Sequence, residues 1–284
     1  MKYLIIDSNY ICHSVYHSLP TLSFGSRGTS IIFGFMKRLI SFASQFPSSK
    51  MIFVWDSVDS IRKEVYPDYK KVRAGRYAEM TAGEKRDKEG AHRQFTEIRE
   101  VALPLLGFKH IYSQEGYEAD DLMASITMNN DGHEFIIITT DQDIYQLIDD
   151  HVMLYNPASK SIQTVNTFTD EFGCHPNMWG QAKAIAGCST DNVSGVVGVA
   201  EKTAIKYLTK KLSDKTKAFK NIEAAHEMIE ENKELVILPM HGTRVISIEG
   251  KDELSRQNFI HMCEKYGFQS LLTSKSLSKW DSIL

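Results

Sequence analysis

Tyr3-Leu4-Ile5-Ile6-Asp7 is a short apolar run that ends in an acid, and the same pattern recurs along the chain. Such a run is typical of a strand buried on both faces of a parallel sheet. Further strands are predicted at 51–55, 108–112 and 135–138, and helices between them at about 30–46, 77–106 and 119–128. Because strands and helices alternate, we expect an α/β fold with a doubly wound, mostly parallel sheet.

The pattern changes after residue 150. A hairpin is predicted from 152–155 and 161–165, and a helical part with a strand at 244–248 and a helix at 257–266 follows. We therefore expect two units, an α/β domain over residues 1–166 and a helical subdomain with further C-terminal elements over 167–284.

Composition bounds the class of protein. The 284 residues are 42% hydrophobic, enough for a core that needs no disulfides. The four cysteines form no CxxC pair, which argues against a zinc ribbon and a disulfide framework and favours a reducing compartment. No apolar run approaches the roughly 18 residues of a membrane span. We expect a cytoplasmic monomer with no signal peptide and no membrane partner.

The net charge of −3 argues at first against a nucleic-acid partner. However, residues 61–76 carry +4 and residues 201–220 carry +5, which leaves −12 elsewhere. A lysine run is often only a solvated helix face. Here it follows Gly195-Val196-Val197-Gly198, and closely spaced glycines before a helix let backbone N–H groups approach phosphate. The net charge of −3 is therefore compatible with DNA binding.

Acids follow every predicted strand of the first domain. A single acid there is usually a helix cap or turn residue. Several carboxylates at one sheet edge repel one another and need a cation, and oxygen ligands select a hard ion such as Mg²⁺ or Mn²⁺. Two such ions hydrolyse phosphodiesters. The acids are Asp7, Asp56, Glu118, Asp120, Asp121, Asp141 and Asp143.

Five ordered motifs resemble those of the 5′-nuclease superfamily, which comprises flap endonucleases, stand-alone phage and bacterial 5′→3′ exonucleases and the 5′-nuclease domain of bacterial DNA polymerase I. In chain order they are Asp7-Ser8-Asn9 with Tyr16-His17-Ser18-Leu19-Pro20, Gly28-Thr29 and Phe33-Gly34-Phe35; Val54-Trp55-Asp56, Arg62 and Tyr66-Pro67-Asp68-Tyr69-Lys70-Lys71-Val72-Arg73; Gly116-Tyr117-Glu118-Ala119-Asp120-Asp121; Thr140-Asp141-Gln142-Asp143; and Asp191-Asn192-Val193 through Gly195, Gly198 and Lys202-Thr203-Ala204.

The resemblance implies a PIN-like fold with a helical arch at about 70–106 and a helix-three-turn-helix motif in the C-terminal subdomain. It assigns Asp7, Asp56, Glu118 and Asp120 to a first metal site with Asp121 beside it, and Asp141, Asp143 and Asp191 to a second. Lys70 and Arg73 would be the catalytic basic pair beside the scissile phosphate. DNA would be bound by Arg62, Lys71, Arg76, Gly195, Gly198, Lys202, Thr203 and Lys206. The glycine turn would also hold K⁺, and His13 stands where relatives often carry a base-stacking aromatic; a surface histidine is equally compatible.

Two positions depart from the family pattern. Cys188 stands where the family usually has an Asp that binds the second metal, and a protonated thiol is a poor ligand for Mg²⁺. Either the second site is weak, requiring more metal and favouring Mn²⁺, or Asp191 and a water fill the gap. Ala200 replaces a usual glycine, which is tolerable only where the backbone does not need a positive φ.

The function expected from the resemblance is a structure-specific 5′ nuclease, a 5′→3′ exonuclease or flap endonuclease. It would cleave DNA with a 5′ end or flap on a duplex by two-metal hydrolysis and leave 5′-phosphates. A non-hydrolytic branched-DNA-binding protein is the alternative that Cys188 keeps open, and a ribonuclease of related fold is a second. RNA in RNA–DNA hybrids is a further possible substrate.

Overall fold

The computed structural model describes residues 1–19 and 22–284, without the side chains of residues 73 and 74. Within that part the strands are β1 (Lys2–Asp7), β2 (Ser23–Phe24), β3 (Arg27–Gly28), β4 (Lys50–Val54), β5 (Ile111–Tyr112), β6 (Glu134–Ile138), β7 (Val152–Asn156) and β8 (Ser161–Gln163). Two predicted features lie outside it: Pro20 of the first motif and the side chain of Arg73.

The helices of the described residues are α1 (Ser8–Ser18), α2 (Ser30–Gln45), α3 (Arg62–Val65), α4 (Lys71–Glu79), α5 (Ala82–Glu97), α6 (Leu103–Leu106), α7 (Ala119–Met128), α8 (Val165–Phe172), α9 (Trp179–Ala186), α10 (Glu201–Leu208), α11 (Lys217–Glu223), α12 (His226–Val236), α13 (Arg256–Tyr266) and α14 (Ser274–Asp281). A π-helical segment, Ile98–Ala102, joins α5 to α6, and short 3₁₀ segments cover Asp143–Leu147, Pro176–Met178, Ser189–Asp191 and Gln269–Leu271.

The main sheet has the strand order β5-β4-β1-β6-β7-β8. Its first five strands are parallel, and β8 returns antiparallel to β7 as the predicted hairpin. Alternate residues of β1 enter cores on opposite faces: Leu4 and Ile6 pack towards α1, α2 and α13, whereas Ile5 packs towards α7. The predicted doubly wound α/β fold is thereby confirmed.

A third core joins helices of the C-terminal half. It contains Phe168 of α8, Trp179 of α9, Ile205 of α10 and Ile229 of α12, and it also includes Tyr69 from the segment before α4. The boundary at residue 166 stays a prediction. No helix among residues 1–19 and 22–284 has both the length and the apolar character needed to cross a bilayer.

One sequence prediction of secondary structure was right only in part, and another was wrong. The helix predicted over 77–106 is divided, because Thr81 and Glu84 form a capping box that begins α5 afresh. The predicted strand at 244–248 is not formed, and these residues pair with no strand in the part of the chain that the structure describes. Its backbone groups bond side chains of the α7 region instead: Ser125 donates to Arg244 O, and Asn130 bonds Ile246 O and Ile248 N.

Candidate metal site and nucleic-acid interface

Four acids meet at the carboxyl edge of the parallel strands. Asp7 ends β1, Asp56 follows β4, Asp141 follows β6, and Asp120 lies in the first turn of α7. Because parallel strands end at a common edge, these side chains converge, and each lies close enough to Asp120 to raise its pKa. The sequence prediction of an acidic edge thus corresponds to one contiguous group of carboxylates.

Asp7 is held in a fixed orientation. One carboxylate oxygen accepts the backbone N–H of Tyr10 at 2.9 Å, and the other accepts the hydroxyl of Thr139 at 2.9 Å. Burial, reinforced by the charge of Asp56, nevertheless raises the pKa of Asp7 to about 7. Thr139 was missed by sequence reasoning, since only the adjacency of β1 and β6 brings it to Asp7.

Asp120 is the most strongly perturbed acid of the group. Its pKa is raised well above the usual range by burial first, and then by the charges of Asp141, Asp7, Asp56 and Glu118. Carboxylates arranged in this way destabilise one another unless they share a cation, and an all-oxygen donor set suits Mg²⁺ or Mn²⁺. The residues present therefore fit a divalent ion at the first site.

Asp121, the residue after Asp120, is bonded by donors inside the protein. It is fully buried and accepts two hydrogen bonds from the guanidinium of Arg62, at 2.6 and 2.7 Å, and one from the N–H of Met240 at 2.9 Å. Arg62 is only 1% exposed and also donates to Leu235 O. The geometry disagrees with two sequence predictions: Asp121 has no oxygen left for a metal, and Arg62 is too deeply buried to contact DNA.

One lysine, Lys70, lies among the carboxylates of the acidic edge and pairs with Glu118. Lys70 Nζ lies 2.7 Å from both oxygens of Glu118, and this ammonium lowers the pKa of Glu118 against the effect of burial. The Lys70 backbone has a left-handed φ of 53°, and its N–H donates to Asp191 O at 2.9 Å. A lysine in that conformation costs about 1 kcal/mol or more. The fold thus turns Lys70 towards the acids at the point where α4 begins.

Tyr69 links the two predicted metal sites. Its buried hydroxyl is 3.0 Å from Glu118 Oε2 and 3.3 Å from Asp191 Oδ2. Sequence reasoning placed Tyr69 in the second motif but gave it no role. The available signal was its position next to Lys70 within the second motif.

The second group lies beside the first. Single donor atoms of Asp143, Cys188 and Asp191 all lie within 4.8 Å of one another. Lys183, which sequence reasoning missed, places its ammonium 3.1 Å from Asp143 Oδ1 and 3.7 Å from Glu201. A cavity of about 400 Å³ reaches this group at Asp143, and its lining also includes Asp7, Asp141, Lys183 and Thr190.

The glycine-rich turn lies between α9 and α10. A Cβ on Gly195 would stand 1.9 Å from Ala186 O, so this contact requires glycine, and Gly198 has a φ of +77°. Ala200 has a φ of −102°, which an alanine adopts without strain. Asn232 of α12 braces the turn by donating to Ala184 O and Ser194 O. The substitution of Ala200 for the family glycine is therefore accommodated.

Basic side chains surround these elements. Lys71 and Arg76 of α4 are exposed, as are the seven lysines between residues 202 and 220, including Lys202 and Lys206 of α10. Thr203, in the same helix, is partly buried. The side chain of Arg73 lies outside the described residues.

A second, larger cavity lies at the base of α5. It measures about 950 Å³ between α1, the β2–β3 hairpin, the start of α2 and α5, and its lining includes Arg27, Arg86 and Arg93. Nearby, His13 is exposed and meets the ring of Phe95 edge-on at 5.0 Å.

The family model described as 5′-3′ exonuclease, N-terminal resolvase-like domain, matches residues 2–173. The chain belongs to this 5′-3′ exonuclease family. It is 29% identical to the thermostable DNA polymerase I of Thermus thermophilus over 95% of its own length, and 34% identical to DNA polymerase I of Deinococcus radiodurans over 72%. It spans only 33% and 20% of those two polymerases.

Solved structures share the fold of this family member. The T5 D15 protein, co-crystallised with metal ions, superposes with a TM-score of 0.72 at 20% identity, over 100% of this chain and 99% of that one. Human GEN1 in complex with Holliday junction DNA gives a TM-score of 0.60 at 14% identity, covering 98% of this chain and 71% of GEN1. The predicted relationship to the 5′ nucleases is confirmed.

Proposed function

We propose that this chain is a structure-specific 5′ nuclease that hydrolyses DNA phosphodiesters as a 5′→3′ exonuclease or flap endonuclease. The observation that carries the proposal is the convergence of Asp7, Asp56, Asp120 and Asp141 on one sheet edge in a member of the 5′-3′ exonuclease family. The matched polymerases are much longer than this chain. The family therefore supports only the class of reaction, and the site residues support the proposed metal ions and substrate contacts.

Asp7, Asp56, Glu118 and Asp120 would hold the first divalent ion, and Asp141, Asp143 and Asp191 would contribute to the second. Such ions, when bound, activate water and stabilise the leaving oxygen of a phosphodiester. We propose Mg²⁺ or Mn²⁺ at the first site, because its donors are all oxygens. Asp121 serves instead to fix the start of α7 through Arg62.

Lys70 supplies positive charge where negative charge develops on the phosphate. Its ammonium is held against Glu118 before substrate arrives, so little reorganisation is needed during the reaction. Tyr69 orients Glu118 and Asp191 at the same time. Arg73 is proposed as the partner of Lys70 from its place in the second motif.

The DNA duplex would bind to the turn at Gly195 and Gly198 and to α10, as in a helix-three-turn-helix motif. On α10 the contacting residues would be Lys202, Thr203 and Lys206. Backbone N–H groups that approach phosphate, followed by exposed lysines, bind the backbone without reading sequence. K⁺ at this turn is part of the same proposal. The single-stranded 5′ end would pass the arch formed by α4 and α5, where Lys71, Arg76 and the arginine-lined cavity lie.

An assay with end-labelled 5′-flap, nicked and single-stranded DNA, with the products sized, tests this function. The Asp120→Asn variant should lose at least about 100-fold in rate, because it removes a central carboxylate from the site. Unchanged cleavage by this variant would refute the assignment. A hybrid substrate with RNA at the 5′ end tests the predicted RNA–DNA activity, and sedimentation tests the predicted monomer.

The rival function is a branched-DNA-binding protein with weak or no hydrolysis. It is favoured by Cys188 and by the Lys183 ammonium, which together leave the second group with fewer free negative charges. Tight binding of flap DNA without any cleavage, in titrations with both Mg²⁺ and Mn²⁺, would support this rival against the nuclease.

A further inference from the structure

We infer that Asp143, Cys188 and Asp191 form a binding site for a thiophilic divalent cation of the Zn²⁺ class, with the Cys188 sulfur as a direct ligand. The inference deepens the proposed function, on which it rests for the presence of a second metal site. It changes the identity of the ion that this site prefers. Mg²⁺ is expected at the first site only.

The spacing of the donor atoms fits one small ion. Cys188 Sγ lies 3.5 Å from Asp143 Oδ2, and the three donors lie within 4.8 Å of one another. With metal–sulfur bonds of about 2.3 Å and metal–oxygen bonds of about 2.0 Å, neighbouring ligands of a tetrahedral zinc stand roughly 3.5 Å apart. A small inward movement of these donor atoms would complete three protein ligands, and the cavity that reaches Asp143 leaves room for water as the fourth.

The charges around the group disfavour Mg²⁺. Asp143 Oδ1 is paired with Lys183 at 3.1 Å, so only Oδ2 faces Cys188. Asp191 lies 3.9 Å from the ammonium of Lys70. Mg²⁺ is held by oxygen atoms and their negative charge, whereas zinc and cadmium gain affinity from sulfur. A site with few uncompensated carboxylates and one thiol therefore selects the softer ion.

The sulfur is also fixed in place before any ion binds. Cys188 and Val193 exchange two backbone hydrogen bonds of 2.9 Å, and the Cys188 side chain is 4% exposed. Thr190 Oγ1 lies 3.0 Å from the sulfur. On binding, the thiol proton leaves to solvent and the sulfur–metal bond forms, with no oxidation of either partner. Cys12, Cys174 and Cys263 are buried elsewhere and join no such group within the described residues.

The test is a spectroscopic titration of the whole chain with Cd²⁺, whose thiolate complexes absorb in the ultraviolet. We expect one thiolate-to-metal charge-transfer band per chain in the wild type. Zn²⁺ should weaken the band by competition at equal concentration, and Mg²⁺ should leave it unchanged at a large excess. Cys188→Asp should lose the band and bind Cd²⁺ more weakly by calorimetry, because an oxygen replaces the soft sulfur ligand. Cys174→Ser, which removes another buried thiol, should keep it.

Absence of the band in the wild type, its persistence in Cys188→Asp, or its displacement by equimolar Mg²⁺ would each overturn the inference. Cys188→Asp retains a metal-binding side chain, and its circular dichroism checks that a lost band does not reflect unfolding. The nuclease assay is read separately. Cleavage in Mg²⁺ without a band would overturn the thiophilic cation site and leave the proposed nuclease function standing. A band without cleavage in any metal would overturn the nuclease function and leave the cation site standing.

Discussion

Arg62 and Asp121 form a bidentate ion pair of 2.6 and 2.7 Å in the interior directly behind the acidic edge. Arg62 also donates to Leu235 O, and Asp121 accepts the N–H of Met240. The pair therefore links α3, the start of α7, the end of α12 and the segment that follows α12. The Arg62–Asp121 pair therefore supports the acidic edge from the interior of the protein.

Removing one partner of this pair should destabilise the fold strongly. Arg62→Met or Asp121→Leu alone leaves a buried charge without compensation, and we expect a loss of about 3–5 kcal/mol in the free energy of unfolding by urea titration. The double variant should lose less than the sum of the two single losses. Lys109→Met, which breaks an exposed pair with Glu253, is the control and should change stability by under about 1 kcal/mol. Additive losses would contradict the coupling.

Lys70→Ala should slow cleavage of a 5′-flap duplex by about 100- to 1,000-fold while changing the Kd for DNA much less. The reason is that the ammonium stabilises charge that develops only during the reaction. Single-turnover rates and binding measured in parallel separate the two effects. Lys109→Ala, far from the acidic edge, should cleave like the wild type. A Lys70→Ala defect confined to DNA affinity would show that Lys70 is only a binding residue.

Tyr69→Phe should raise the Mg²⁺ concentration needed for half-maximal cleavage by about 10- to 100-fold, with a smaller change at saturating Mg²⁺. Groups that orient metal ligands typically contribute affinity of this size. The substitution removes one hydroxyl that donates to both Glu118 and Asp191. Tyr3→Phe, at the opposite end of β1, removes only a contact with Met1 Sδ and serves as the control. An unchanged metal dependence in Tyr69→Phe would refute the bridging role.

In the metal-free protein, stability should fall as the pH rises from about 4 to 7. The folded state holds a proton on Asp7 up to a pKa of about 7, whereas the unfolded chain loses it near pH 4, so the folded state binds more protons in this window. The loss is on the order of 4 kcal/mol for this one group. Urea titrations in a chelator measure it, and Asp7→Asn should flatten the dependence. A stability that rises with pH over this window would contradict the prediction.

Lys202→Ala with Lys206→Ala should weaken duplex binding and make the slope of log K against log salt shallower by about two. Both lysines are exposed on α10 and would each neutralise one phosphate. Fluorescence anisotropy at several salt concentrations gives the slope. Lys275→Ala with Lys279→Ala is a matched control, because these two exposed lysines have the same spacing on α14. Equal slopes for the two double variants would place the duplex elsewhere.

The sequence was sufficient for the sheet and for the acids at its edge. Short apolar runs such as the one before Asp7, alternating with helical stretches, are typical of a parallel sheet, and parallel strands bring their carboxyl ends together. The motifs also identified the family that the comparisons confirmed. Local signals were less reliable at 244–248, where a strand was predicted but side chains of the α7 region bond the backbone.

Only the tertiary structure decided which charges compensate one another. Asp121 and Asp120 are neighbours in the sequence, yet one is paired with Arg62 and the other is surrounded by acids. Likewise Lys183, Tyr69 and Thr139 joined the site only through folding. The sequence determined the fold and the kind of chemistry because both follow from local patterns along the chain. Individual roles depend on burial and on partners distant in sequence, and no local pattern encodes those.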